Sequence, residues 1–131
     1  MPHYTAIVTL LALLFYFYTG LRVGRARGRF GIKAPATTGN PEFERMVRVQ
    51  QNTLEWMPIF LASLWLFAIY ANDVGAAAIG LVWIVGRIVY MVGYTAAAEK
   101  RGTGFGIQAL AAGVLLFGAL IGVILRIAHG G

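Results

Sequence analysis

The sequence predicts an all-α integral membrane protein, a four-transmembrane-helix bundle forming one domain over residues 1–131. Three observations point there. Hydrophobic residues make up 59% of the chain and the mean hydropathy is +0.71, whereas soluble domains are roughly half apolar. The apolar residues gather in four runs, each long enough to cross ~30 Å of hydrocarbon at ~1.5 Å per residue. Charged residues are only 12% of the chain, carry a net +6, and collect mostly between the runs, the bias that membrane orientation leaves.

Helix one is expected over about residues 3–27, since His3 to Leu21 carries no charge. It has neither the basic start nor the small-residue cleavage site of a signal peptide, so it reads as a retained membrane helix. It runs into Arg22, Arg25, Arg27, Arg29 and Lys33, with Gly28, Gly31 and Pro35 as breakers. Taken singly, each of these cations reads as a topology anchor at the lipid headgroups. Helix two is expected over about residues 41–71. Asn40 suits the N-cap, Pro41 needs no N–H in the first turn, and Glu42 and Glu44 lie near the positive helix end. Pro58 predicts a kink unless neighbours satisfy the freed carbonyl.

Asn72-Asp73 leaves room only for a tight reversal, making helices two and three antiparallel neighbours. Helix three is expected over about residues 75–101, and helix four, after the break at Gly102 and Gly104, over about 105–128. Small residues at Gly118 and Gly122, and at Ala109 and Gly113, allow close helix approach, at a subunit interface or within one bundle. The first and third connections hold nearly all the basic residues, which places them on the cytoplasmic side and both termini on the other.

One stretch is polar where a membrane protein should be apolar. From Asn40 to Pro58 the chain carries Arg45, Arg48, Asn52 and Glu55 and then enters an apolar run without a break. Ionisable groups at that depth are costly and mark functional sites by default. At ~100° per residue these four side chains fall within roughly 80° of arc. The same arithmetic puts Arg87, Tyr90, Tyr94 and, if helix three extends that far, Arg101 within about 60°. Two polar faces on antiparallel neighbours at one depth predict a pocket. Its guanidiniums favour carboxylates, and Asn52 and Glu55 supply acceptors for a cationic group, so a zwitterion with excess negative charge fits. The plainer readings are an internal Arg48–Glu55 ion pair, interfacial roles for Tyr90 and Tyr94, and belt or lipid-facing packing for Trp56, Trp65 and Trp83.

The chain has no cysteine, which removes disulfides, thiolate metal sites and a protein-borne thiol nucleophile. Any thiol chemistry needs a thiol on a substrate. His3 and His129 stand at opposite ends of the sequence, outside the pocket, and no metal site is expected. The sequence contains no Gly-rich phosphate loop, Ser-His-Asp set or HExxH motif.

Three motifs, Thr37-Thr38-Gly39-Asn40-Pro41-Glu42-Phe43-Glu44-Arg45, Arg48-x-Gln50-x-Asn52-x-x-Glu55-x-x-Pro58 and Arg87-x-x-Tyr90-x-x-Gly93-Tyr94, closely resemble the MAPEG superfamily. These are the membrane-associated proteins of eicosanoid and glutathione metabolism, and the likeness is greatest to the branch of microsomal glutathione transferases and leukotriene synthase. The resemblance covers about residues 20–104. It implies a homotrimer in a bacterial inner membrane, with glutathione as co-substrate bound between subunits near the cytoplasmic face. Position by position it implies that Arg48, Asn52, Glu55, Arg87, Tyr90 and Tyr94 hold glutathione, that Arg27 and Gln50 reach a neighbouring subunit's site, and that Arg101 stabilises the thiolate. The sequence departs from the pattern at Trp56, often a tyrosine, and at Gly28, which replaces a second loop arginine. The implied activity is therefore a general glutathione transferase acting on lipophilic electrophiles or lipid hydroperoxides, rather than leukotriene synthesis. The alternatives are a small proton-coupled multidrug transporter using Glu55 and a non-catalytic lipid-binding relative.

Overall fold

The computed structural model describes residues 1–130. They form four long α-helices, α1 (His3–Phe30), α2 (Pro41–Tyr70), α3 (Asp73–Ala96) and α4 (Gly102–Ala128), with a 3₁₀ turn at Ala98–Arg101 leading into α4. All four are long and apolar enough to cross a membrane. Leu10, Leu14, Leu110, Phe117 and Ile127 are among the large apolar side chains left exposed, as surfaces facing lipid rather than water allow.

The basic end of α1 stays helical three residues past the expected stop. Exposed Gly28 costs only about 1 kcal/mol within a helix, and the chain turns instead at Gly31, whose φ of 66° closes the helix with an N–H donated to the Arg27 carbonyl. At its other end α1 has no capping side chain of its own. The Asp73 carboxylate supplies one from the start of α3, accepting from the N–H groups of Tyr4 at 3.1 Å and Thr5 at 2.8 Å. Asn40 caps α2 through two N–H donors, Glu42 and Phe43. The helix then runs unbroken through Pro58.

Helix α3 ends at Ala96 rather than near residue 101. Ala97 is extended, with φ −162° and ψ 138°, and the chain folds back so that the Lys100 carbonyl lies on Gly93, where a Cβ would collide with it. The same backbone intimacy recurs where Gly104 meets Tyr90 and where Gly86 meets Gln108. It lets α4 start against the end of α3 and sets the polar mouth of the bundle. Gly118 and Gly122 pack on Phe67 and Tyr70 of α2, so this pair serves packing within one chain.

Helix α3 packs on each of the other helices, and α2 packs on α1 and α4 as well. One core cluster centres on Phe60, Leu64, Trp83 and Leu115, and a second, nearer the basic end, on Phe43, Val49, Tyr90 and Met91. Trp83 belongs to the first. It is fully buried and stacked on Phe60 at 3.8 Å between centroids, which corrects the expectation of a belt or lipid-facing position. Trp65 is half-buried and donates to the Thr9 hydroxyl at 2.9 Å.

Candidate functional site

Where α2, the end of α3 and the start of α4 converge, a cavity of about 340 Å³ opens, lined by Arg48, Asn52, Tyr90, Tyr94, Arg101, Gly102 and Phe105. This falls within the ~300–1,000 Å³ usual for small-molecule sites. Arg48 and Asn52 come from successive turns of α2, and Tyr90 and Tyr94 from successive turns of α3, the i, i+4 spacing that stacks side chains on one face. The two tyrosine rings lie 5.5 Å apart. Arg101 lies 5.7 Å over the Tyr94 ring and donates to the Ala98 carbonyl at 3.3 Å. Its place on the 3₁₀ turn, rather than on helix three as expected, follows from the break at Ala97.

Arg87 is brought close without lining the cavity. It is wholly buried behind it, donating to Asn52 Oδ1 and Thr53 Oγ1, each at 2.7 Å, with its guanidinium 4.5 Å from the Tyr90 ring centroid. It thus holds one cavity residue from each of two helices. A buried cation without a carboxylate keeps its charge only through such donors and aromatic faces. Thr53, next to Asn52, is the partner that helical arithmetic does not reveal.

The remaining expected residues lie outside the cavity. Glu55, a turn beyond Asn52, is exposed. Arg48 donates to Gln51 at 3.3 Å, and the one ion pair among the described residues joins Arg29 to Glu42 at 3.5 Å, so an internal Arg48–Glu55 pair is absent there. Gln50 turns away toward α1, its amide near Gly20. Arg27 donates to the Ala36 carbonyl at 2.7 Å and lies over the Phe43 ring. Trp56 meets cavity residue Phe105 edge-on at 5.7 Å. Among the described residues no three histidine, cysteine, aspartate or glutamate side chains cluster as metal ligands would.

Further along the groove between α2 and α4 lies an almost wholly apolar cavity of about 400 Å³, with Ile59, Ala62 and Leu66 on one wall and Leu116, Leu120 and Val123 on the other. One polar mouth and one apolar groove thus share a pair of helices.

These features define a polytopic helical membrane protein with a cationic, tyrosine-lined cavity at one end of its bundle. The chain belongs to the MAPEG family, whose model matches residues 5–121. It is 44% identical to human microsomal glutathione S-transferase 2 over 119 residues, covering 91% of this chain and 79% of that protein. Against guinea-pig leukotriene C4 synthase (Cavia porcellus) the identity is 41% over 119 residues, with the same coverage. An uncharacterized protein of Synechocystis is 50% identical over 119 residues, covering 91% of this chain and 87% of that one.

Proposed function

We propose that this protein is a membrane-bound glutathione transferase that joins the glutathione thiolate to lipophilic electrophiles. Family membership and the named relatives support use of glutathione. The observation that carries the reading is the convergence of Arg48, Asn52, Tyr90, Tyr94 and Arg101 on one cavity. Glutathione has two carboxylates, one ammonium and one thiol. Arg48 suits a carboxylate, because a guanidinium binds it through a planar fork. Asn52 and the tyrosines suit the peptide and remaining polar groups.

Arg101 is assigned to the sulfur. A free thiol has a pKa of about 8.5, so only a few per cent is thiolate at neutral pH. Lowering that value by two units takes about 2.7 kcal/mol of preference for the anion, which a guanidinium held beside the sulfur is there to supply. The thiol proton leaves to solvent. The sulfur lone pair then forms a C–S bond at the electrophilic carbon, and the leaving group departs with its bonding electrons. The apolar groove between α2 and α4 is the entry we assign to an electrophile dissolved in the bilayer.

In this reading the active unit is a homotrimer whose site faces the cytoplasm. Arg27 and Gln50, off the cavity in one chain, then contact glutathione in a neighbouring subunit's site, and Glu55, exposed in one chain, meets it on the α2 face it shares with Arg48 and Asn52. Reduction of lipid hydroperoxides is a second activity of the same thiolate. The test is glutathione-dependent turnover of a chromogenic aryl halide by purified protein. No turnover, or turnover unchanged in Arg101→Ala, would contradict the assignment.

A further inference from the structure

A separate cavity of about 310 Å³ lies between α1, the start of α2 and the end of α3, and shares no lining residue with the first. Arg22, Arg25 and Arg29 line it together with the apolar side chains of Phe30, Met46 and Val92. Its one carboxylate, Glu42, is already paired with Arg29 at 3.5 Å. Three guanidiniums against one carboxylate leave a local charge of +2, and no carboxylate pairs with Arg22 or Arg25 among the described residues.

The cavity ends a longer feature. Leu11, Leu14, Tyr18, Arg22, Arg25 and Arg29 follow one another at spacings of three and four, so they form a single stripe along α1. Its membrane half is exposed and apolar at Leu11 and Leu14. On α3, which packs beside α1, exposed Leu81, Val85, Ile88 and Val92 form a second stripe by the same spacing, and Val92 itself lines the cavity. Tyr18 stands at the junction, its hydroxyl accepting from Arg22 at 3.2 Å.

From this continuity we infer that the α1–α3 groove is a specific site for an anionic glycerophospholipid, its phosphate among Arg22, Arg25 and Arg29 and its acyl chains along the two apolar stripes. Arginines acting singly as topology anchors need neither a shared concavity nor an aligned apolar track. A free phosphate would use the arginines but not the stripes, so the stripes decide for the lipid. The site is independent of the glutathione reading.

The test is native mass spectrometry of purified protein from mixed micelles of phosphatidylglycerol and phosphatidylcholine. Wild type should retain phosphatidylglycerol selectively. Arg22→Gln/Arg25→Gln should weaken that preference about thirtyfold, roughly fivefold per guanidinium near the surface. Lys33→Gln/Lys100→Gln removes the same charge from the same end of the bundle outside the cavity, and should leave it intact. Equal loss in both double variants would mean diffuse surface attraction and overturn the site. So would inorganic phosphate that raises the melting temperature as much as the lipid does. Arg25→Glu, at an exposed position, tests the same point if the double variant fails to fold: it should lose the bound lipid, and retention would overturn the assignment.

Discussion

Replacing Arg87 with methionine separates the residue that arranges the cavity from those that line it. The substitution removes two hydrogen bonds from a charged donor, to Asn52 Oδ1 and Thr53 Oγ1. Each is worth about 1.5–3 kcal/mol, or roughly 3–6 kcal/mol gross. It also removes a buried guanidinium with no carboxylate partner, relieving a desolvation penalty of several kcal/mol. The two terms nearly cancel, so the fold should survive with a change of about 2 kcal/mol or less in stability. The cavity should fare worse. Asn52 loses the bond that orients its amide, and Tyr90 loses the cation at 4.5 Å from its ring. Loss of one well-aligned hydrogen bond to glutathione costs about 1 kcal/mol, which is about fivefold in affinity. The assay is steady-state kinetics of the aryl halide reaction with glutathione varied. KM for glutathione should rise about fivefold while kcat at saturation holds within about twofold. Arg87→Lys should not rescue KM, because one ammonium cannot reproduce the fork that reaches both Asn52 and Thr53. A variant with wild-type KM and a lowered melting temperature would refute the positioning role and leave Arg87 purely structural.

Other substitutions test the rest of the geometry. Arg101→Ala should return the bound thiol from a pKa of about 6.5 toward 8.5, cutting the thiolate fraction at pH 7 about twentyfold or more. The rate–pH profile should therefore move alkaline by up to about two units, with activity partly recovered at high pH; a profile that falls without moving would contradict the assignment. Asp73→Ala removes the side-chain cap that α3 lends to α1 and should lower stability by about 1–2 kcal/mol, read as a drop in melting temperature with KM unchanged. Gly104→Ala drives a methyl into the Tyr90 backbone and should sharply reduce folded protein, whereas Gly106→Ala, two residues on with open space around its Cβ, should melt like wild type.

The fold was legible because the membrane imposes it: an apolar run of about twenty residues spans lipid as a helix, which satisfies its backbone within the one segment. Arg48, Asn52, Tyr90 and Tyr94 were legible because helical phase places them on facing surfaces, and the cavity brings them together. Phase does not report depth, however. Arg87 shares the arc of Tyr94 but sits nearly two turns further into the bundle, where Asn52 and Thr53 occupy its donors. Glu55 shares the arc of Asn52, yet it is exposed. Arg101 reached the cavity by a different route from the one its phase suggested, because Gly93 admits the Lys100 carbonyl and turns the chain back. The cap that Asp73 lends to α1 joins residues 68 and 69 positions apart, beyond the reach of any local pattern. Pro58 lies inside α2, which stays helical on both sides of it.

The thiolate-stabilising role proposed for Arg101 is open to one direct measurement, the ultraviolet thiolate absorbance that develops when glutathione is titrated into purified protein at neutral pH. Wild type should show a saturable thiolate signal that tracks binding, and Arg101→Ala should bind glutathione with little or none of it. Saturable binding to wild type without thiolate, or an undiminished signal in Arg101→Ala, would contradict the assignment of this cavity to thiol activation.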